Sequence, residues 1–201
     1  MRWHQTLKIK AHLKLKIECK LKSFCQTSPF KLSALLSKDS ESLNVTFSFS
    51  KGLENLLYSD SKSVDNLREH NLWKETCFEL FLKNKNSTEY IEVNISTTGS
   101  WNIYVFEDER IGMKEYSLSQ GPFISNNLRT TSEIGFKLGL NSLPDFIKES
   151  NFQYQISAVL KTIDDCFFYA IKHLDNHPNF HSFKAFNNLD NYNEAHQHSE
   201  Q

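Results

Sequence analysis

The feature that most constrains the fold is a strict alternation of apolar and polar residues near the N-terminus. From Leu7 to Lys22, every odd-numbered residue is apolar and every even-numbered residue is charged or histidine. Side chains alternate between the two faces of a β-strand, so a period of two predicts a strand with one buried and one solvated face. At about 3.3 Å per residue the segment would extend to roughly 53 Å. We therefore expect it to bend or to pass from one sheet to the next.

Further strand-like runs follow along the chain. They are short, rich in β-branched or aromatic residues, and bounded by Asn, Asp, Ser or Gly. The segment Ser142–Glu149 is expected to be helical, with Pro144 near its start and Asp145 in its first turn. Many short strands with almost no helix predict an all-β antiparallel sandwich, of immunoglobulin-like or jelly-roll type, with at most one short helix. The predicted strands are Phe30–Leu36, Leu43–Phe49, Thr76–Leu82, Tyr90–Thr97, Trp101–Phe106, Pro122–Thr130, Glu133–Leu140, Phe152–Thr162 and Cys166–His173.

Length and composition favour a single domain. The 201 residues, 39% of them hydrophobic, suffice for one well-packed core. The segment Tyr58–Asn71 is polar and is expected to be a long loop. We assign residues 1–187 to one β-sandwich domain and the polar residues 188–201 to a disordered C-terminal tail.

Charge and cysteine content argue against several kinds of partner. The net charge is -1, although residues 1–22 carry Arg2 and six lysines against one glutamate, a local +6 that leaves -7 for the remainder. This lysine-rich ribbon is interpreted as a solvated strand face rather than a nucleic-acid footprint. No cysteines have CxxC spacing, and no segment has the pattern of a signal peptide or membrane span. We expect a cytoplasmic monomer or weak homodimer with free thiols and no nucleic-acid or membrane partner.

The middle of the chain carries a long motif. It begins with Arg68 and the run LWKETCFELFL (Leu72–Leu82), and continues as YIEVNISTTGSWNIYVFEDERIGM (Tyr90–Met113). This order of residues resembles the DOMON-like proteins related to the family 9 carbohydrate-binding modules. The matching residues are Arg68, Leu72, Trp73, Thr76, Cys77, Phe78, Glu79, Tyr90, Glu92, Asn94, Trp101, Tyr104, Arg110, Gly112 and Met113.

A looser likeness to the same family lies near the C-terminus, in Tyr169–His173 and Pro178–His181. Here Tyr169 stands where the family usually has Trp, Leu174 where it has Pro, and Asn179 where it has Asp. The likeness covers about residues 30–187. It implies a β-sandwich that binds a ligand without catalysis, and the fold does not specify which ligand.

The alternation of the central strands predicts where two acidic residues lie. In Thr76–Leu82 it places Cys77, Glu79 and Phe81 on one face, and on the next strand Glu92 shares a face with Tyr90 and Asn94. A carboxylate among apolar neighbours requires a cationic or hydrogen-bonding partner, and Arg68 and Arg110 are available. Either these groups bind ligand hydroxyls, or they form an internal ion pair or a solvated outer face.

Aromatic residues near the motif are candidates for stacking on a sugar ring. Trp73 and Trp101 could present indole faces to a pyranose, although most aromatics in a sandwich belong to its core. We expect a glycan or other small molecule as ligand, with no catalytic or metal-binding residue. The predicted ligand-binding residues are Arg68, Trp73, Glu79, Asn94, Trp101, Arg110, Tyr169, His173 and His181.

Several alternatives remain open at this point. One is haem binding, with Met113 and a histidine from the set 173, 177 and 181 as axial ligands. The same histidines are spaced by four, but Pro178 interrupts any helix, so a metal site would have to lie on a loop. An interaction module that uses the lysine-rich strand is a third alternative. A glycosidase is the least favoured, and Cys77 is interpreted as a packed thiol rather than a nucleophile.

Overall fold

The structure is a computed structural model that describes residues 15–58, 67–118, 121–125, 128, 130–148 and 152–189. Its strands, numbered in chain order, form two antiparallel sheets. The smaller sheet contains β1 (Leu15–Lys20), β3 (Lys31–Lys38), β4 (Ser42–Lys51), β9 (Phe123–Ser125) and β10 (Glu133–Gly139), in the spatial order β1-β3-β4-β10-β9.

The larger sheet contains eight strands of the described chain. They are β2 (Lys22–Ser23), β5 (Cys77–Asn84), β6 (Tyr90–Ser96), β7 (Trp101–Phe106), β8 (Lys114–Glu115), β11 (Phe152–Lys161), β12 (Cys166–Ala170) and β13 (Asn187–Asn188). Seven follow one another in the order β2-β12-β11-β5-β6-β7-β8, and β13 pairs separately with β11.

The prediction of an all-β sandwich is confirmed. The only α-helix in the described residues is α1 (Asp145–Lys148), which lies inside the predicted segment Ser142–Glu149. This helix has four residues and is too short to cross a bilayer, and none of the other helices in the described residues is longer. The remaining helical turns are the 3-10 helices Leu53–Asn55, Leu72–Lys74, Leu140–Ser142 and Phe183–Ala185.

The N-terminal ribbon passes from one sheet to the other, which is one of the two outcomes that its length predicts. Strand β1 pairs with β3 in the smaller sheet, whereas β2, one residue later, pairs with β12 in the larger sheet. The apolar side chains Ile17, Cys19 and Leu21 are buried, and the intervening Glu18 and Lys20 are exposed. Residues 7–14 of the ribbon lie outside the described chain.

Both faces of the larger sheet are buried. Its inner face packs against the smaller sheet through core side chains such as Phe78, Leu80 and Ile91, and the Phe78 ring contacts that of Phe47 in β4. Its outer face carries a second apolar cluster. The loops that follow β7 and β12 cover this outer cluster. The members of the outer cluster are Leu72, Cys77, Phe81, Tyr90, Tyr104, Phe106, Val159, Ala170, Phe180 and Phe186. A sheet covered on both faces can hold polar groups away from water on the side that does not face the other sheet.

Several predicted boundaries require correction. The fold extends past residue 187, because Asn188 pairs with Gln153 and Leu189 is buried. Strand β12 ends at Ala170 rather than at His173, although the Ile171 N–H still donates to the Ile156 carbonyl of β11. Of the predicted strand Pro122–Thr130, β9 covers Phe123–Ser125, and residues 126, 127 and 129 lie outside the described residues.

Gly52, at the end of β4, provides a test of the packing between strands. Its φ is +88°, and a Cβ atom there would lie 2.5 Å from the carbonyl oxygen of Pro29. We predict that Gly52→Ala lowers the free energy of unfolding by about 1–3 kcal/mol, because both the backbone and the neighbouring chain would have to shift. Gly139→Ala is the matched control, since its φ is -71° and the nearest atom to its Cβ would be 3.5 Å away. Equal stability of the two variants in urea unfolding would contradict this packing.

Candidate ligand-binding site

A row of buried polar side chains crosses the outer face of the larger sheet. Ser157, Glu79, Asn94 and Asn102 are register partners on the adjacent strands β11, β5, β6 and β7. None of them is more than 2% exposed. Their alignment follows from the period-two alternation of each strand, which directs these side chains away from the other sheet. The sequence therefore places a polar strip where a sandwich would otherwise present a solvated face.

Glu79 and Glu92 are the two carboxylates of this face. They occupy diagonal positions on β5 and β6, since Glu79 is opposite Asn94 and Glu92 is opposite Phe81. Ser157 Oγ donates a hydrogen bond to Glu79 Oε2 at 2.7 Å, and Asn94 Nδ2 donates one to Glu92 Oε1 at 2.8 Å. Within the described chain, Glu79 Oε1 and Glu92 Oε2 accept no hydrogen bond.

Asn94 is itself held in one orientation. Its Oδ1 accepts a hydrogen bond from the thiol of Cys77 at 3.4 Å, so its amide nitrogen is directed at Glu92. Cys77 is completely buried, and burial raises the pKa of its thiol well above the ordinary range. Cys77 is thus a packed, protonated donor, as the sequence predicts, and not a nucleophile.

His181 faces Glu92 from the C-terminal loop. The backbone N–H of Arg110 donates to the Tyr90 hydroxyl at 3.1 Å, and that hydroxyl lies 2.6 Å from His181 Nδ1. Because the Tyr90 hydrogen has no other acceptor in the described residues, it is donated to Nδ1, and the neutral ring then carries its proton on Nε2. Burial lowers the pKa of His181 to about 3, so the ring is neutral at pH 7.

The proton on His181 is directed toward an open carboxylate oxygen. His181 Nε2 lies 3.8 Å from Glu92 Oε2, too far for a direct hydrogen bond. A ligand hydroxyl placed at about 2.8 Å from both atoms would accept from the histidine and donate to the carboxylate. The pair is therefore arranged as a donor and an acceptor for one ligand group.

These groups form the floor of a cavity of about 370 Å³. The size lies within the range of small-molecule sites. Its walls are mainly aromatic, and Arg110 and Met113 are its exposed members. The lining residues are Trp73, Glu79, Glu92, Phe106, Arg110, Met113, Val159, Phe168, Pro178, Phe180 and His181.

Two strained backbone positions bring residues to this cavity. Asn71 and Arg110 are the only non-glycine residues of the described chain with positive φ, 60° and 59°. Asn71 precedes the 3-10 helix that carries Trp73, and the Trp73 ring packs edge-on against Tyr104 at 5.3 Å. Arg110 lies in the turn between β7 and β8, where its Nη2 donates to Asn179 Oδ1 at 3.2 Å. Such strain is found where the surrounding structure determines a functional geometry.

The carboxyl groups of Glu79 and Glu92 both have raised pKa values. Burial, together with repulsion from Glu92, raises the pKa of Glu79 to about 8. Burial likewise raises the pKa of Glu92 to about 7, against the opposing effects of the Asn94 hydrogen bond and the Arg110 charge. Perturbed carboxylates in a cavity are a common property of functional sites.

Four of the nine predicted site residues line the cavity: Trp73, Glu79, Arg110 and His181. A fifth, Asn94, supports its floor through Glu92. Their assignment as ligand contacts remains a prediction, but the structure brings them together from β5, β6 and three separate loops.

Arg68 and Trp101 lie elsewhere. The Trp101 indole is 6% exposed and belongs to the core between the sheets, with the Arg68 guanidinium 4.6 Å from its ring centre. Arg68 also donates to the carbonyl of Tyr116. Gly121 packs so closely against the indole that a Cβ atom at this position would overlap with the ring. The structure therefore separates this pair from Glu79, which the sequence had suggested as an Arg68 partner.

Tyr169 and His173 are also outside the cavity. Tyr169 is 2% exposed in the core between the sheets, and its hydroxyl donates to Ser28 Oγ at 2.6 Å or Phe30 O at 2.8 Å. His173 Nε2 lies 2.9 Å from the carbonyl of Lys22, beside β2. An aromatic clamp formed by Trp73, Trp101 and Tyr169 together is not the arrangement found here.

Several cavity residues were absent from the predicted set. The sequence predicts that Glu92 lies among apolar neighbours but not that it contacts a ligand, and it predicts no ligand contact for Phe106, Phe168 or Phe180. A signal for Phe168 existed, because adjacent residues of a strand point to opposite faces. Once Tyr169 is assigned to the inner face, Phe168 must lie on the outer one. Phe180 and Pro178 come from a loop, for which the sequence contains no comparable signal.

The residues present do not fit a haem or a metal ion. Among the described residues, no three His, Cys, Asp or Glu side chains are grouped to hold a metal. Only Met113 and His181 of the proposed axial ligands line the cavity. His181 directs Nε2 at a carboxylate, and two acidic side chains occupy the floor where an apolar ring would have to lie.

The two carboxylates make stability depend on pH. Both have folded pKa values above the ordinary 4.5, so the unfolded chain releases these protons first as pH rises. We predict that the free energy of unfolding falls from about pH 4.5 to about pH 8, and most steeply above pH 6.5. His181, with its lowered pKa, has the opposite effect below about pH 6.5, and Arg110 reduces the carboxylate effect throughout.

The measurement is urea unfolding at several pH values for wild type, Glu79→Gln and the exposed control Glu41→Gln. We expect the decline above pH 6.5 to be smaller in Glu79→Gln, because one buried charge is removed, and unchanged in Glu41→Gln. Parallel curves for all three proteins would show that Glu79 ionises as it does in water.

No protein-family model matches the chain, and no curated protein matches its sequence. The fold does match a solved structure, that of a putative carbohydrate-binding protein from Bacteroides uniformis, with a TM-score of 0.63 and 10% sequence identity. The match covers 87% of this chain and 84% of the other. At this level of identity, the likeness shows that the two proteins share a β-sandwich fold.

Proposed function

We propose that this protein is a non-catalytic carbohydrate-binding module, related to the DOMON-like and family 9 carbohydrate-binding proteins, that takes a sugar ring into the cavity on the outer face of its larger sheet. The observation that carries the proposal is the composition of that cavity. Its floor has open carboxylate oxygens beside a histidine donor, and its walls are aromatic.

The floor suits hydroxyl groups. A sugar hydroxyl is both a donor and an acceptor, and the facing atoms Glu92 Oε2 and His181 Nε2–H offer the two complements. Glu79 Oε1 offers a further acceptor. Because Glu79 and Glu92 are held by Ser157 and Asn94, little side-chain entropy would be lost when a ligand binds.

The walls suit the apolar face of a pyranose. Trp73 is half-buried, and its ring packs against Tyr104. Phe168 and Phe180, from the C-terminal part of the chain, line the same cavity and pack against each other. Aromatic rings combine a large apolar area with a defined orientation, which is the property that sugar stacking requires. Of the three aromatics that the sequence suggested, only Trp73 meets this requirement.

Two further observations support the family assignment. The motif residues Trp73, Glu79, Glu92, Arg110 and Met113, which are separated by up to 40 positions in sequence, line one cavity. The fold is also shared with the Bacteroides uniformis protein, whose name describes a putative carbohydrate-binding function.

The arrangement of the carboxylates favours binding over hydrolysis. A glycosidase requires two carboxyl groups that flank the scissile bond. Here Glu79 and Glu92 project from neighbouring strands on the same side of one sheet, and each has one oxygen engaged by a protein donor. They would contact a sugar from one side only.

A glycan array followed by titration calorimetry tests the proposal. We expect at least one glycan to bind wild type, Trp73→Ala to bind it about tenfold more weakly, and Tyr169→Phe to bind it equally well. Tyr169 is the matched control because its ring belongs to the inner face of the sheet.

Two results would contradict the proposal. One is the absence of binding to every glycan by a protein that is folded by circular dichroism. The other is cleavage of a bound oligosaccharide after prolonged incubation, detected by mass spectrometry, which would make the module catalytic.

A further inference from the structure

The charged groups of the cavity do not balance. Two carboxylates, Glu79 and Glu92, face one guanidinium, that of Arg110. His181 is neutral, and no lysine of the described residues lines the cavity. When both carboxylates are ionised, the cavity therefore has a formal charge of -1.

The single cation does not neutralise the pair directly. Arg110 is exposed at the cavity mouth, and its Nη2 donates to the amide oxygen of Asn179. Asn179 in turn donates to Asp175 Oδ2 at 2.8 Å, so part of the guanidinium charge is directed toward another acid. Glu79 and Glu92 are 2% and 5% exposed, and neither forms a hydrogen bond with Arg110.

Such a pair is costly without a cationic partner. A buried carboxylate that lacks compensating charge either takes up a proton or destabilises the fold. The raised pKa values of both groups are consistent with that shortage. One added positive charge near their open oxygens would allow both to ionise and would bring the formal charge to zero.

The walls are also suited to a cation. The faces of Trp and Phe rings attract ammonium groups, and the attraction is larger where water is excluded. Trp73, Phe106 and Phe168 border the same space as the two carboxylates. A neutral hydroxyl group would hydrogen-bond to the open oxygens. It would not balance the negative charge of the two carboxylates, and the aromatic rings would not attract it as they attract a cation.

We propose that the preferred ligand is an amino sugar with a free, protonated amine, whose ammonium group is held between Glu79 and Glu92. This inference depends on the proposed function, since it names the class of sugar for the same cavity. Acetylation of the amine would remove the positive charge, and a uronic acid would add a third carboxylate to the site.

Matched pairs of sugars test the preference. Titration calorimetry at pH 6.5 compares glucosamine with glucose, galactosamine with galactose, and mannosamine with mannose, together with their N-acetyl derivatives. We expect the free amine of at least one pair to bind tenfold or more tightly than its neutral and acetylated partners. Proton release to the buffer should accompany only the amine, because the carboxylates then ionise.

A charge-removing variant identifies the residues responsible. Glu79→Gln keeps the size of the side chain but removes its charge, and it should reduce the ratio of amine affinity to neutral-sugar affinity to less than threefold. Glu41→Gln, an exposed substitution in the turn between β3 and β4, should retain the full preference.

The outcomes separate the two proposals. Binding of neutral sugars as tightly as of amines, or an amine preference that survives Glu79→Gln, would overturn the inference and leave the carbohydrate function in place. If no amine, neutral or polymeric sugar binds, the proposed function and the inference both fail.

Discussion

The structure depends on how two carboxylates are kept out of water. Glu79 and Glu92 lie on the outer face of a sheet whose inner face already contains the main core. Each is retained there by one neutral donor, Ser157 or Asn94, and not by an ion pair in direct contact. Neutral donors satisfy one oxygen of each carboxylate and leave the other directed into the cavity. The same arrangement that makes burial tolerable therefore also creates a polar floor.

The loops above this floor are positioned by interactions within the site itself. Tyr90 links the β7–β8 turn to the C-terminal loop, since its hydroxyl contacts both Arg110 N and His181 Nδ1. Asn179 continues that link by bridging Arg110 and Asp175. The family that the sequence resembles usually has Asp at this position. An aspartate at position 179 would form an ion pair with Arg110. The amide present here instead joins Arg110 to Asp175 through two hydrogen bonds.

Strand alternation predicted much of this architecture. It also indicates which face of the sheet each residue of a strand occupies. The parity of β5 and β6 correctly separated Glu79 and Glu92 from the core residues Phe78 and Leu80. The same parity places Trp101 with Ile103 on the inner face, so a stacking role for Trp101 conflicted with its own strand. Residues chosen because a family motif contains them can be structural, and the face of the strand distinguishes the two cases.

The sequence by itself determined the all-β class, most strand positions, the passage of the N-terminal ribbon between sheets, and the outward direction of the two glutamates. These follow from period-two patterning, which is a local property of each strand. Only the tertiary structure decided which loops cover the outer face, that Phe106, Phe168 and Phe180 join Trp73 around the carboxylates, and that Arg68 pairs with Trp101. Loop paths and contacts between distant strands depend on the packing of the whole chain, because many routes satisfy the same local pattern and only burial selects among them.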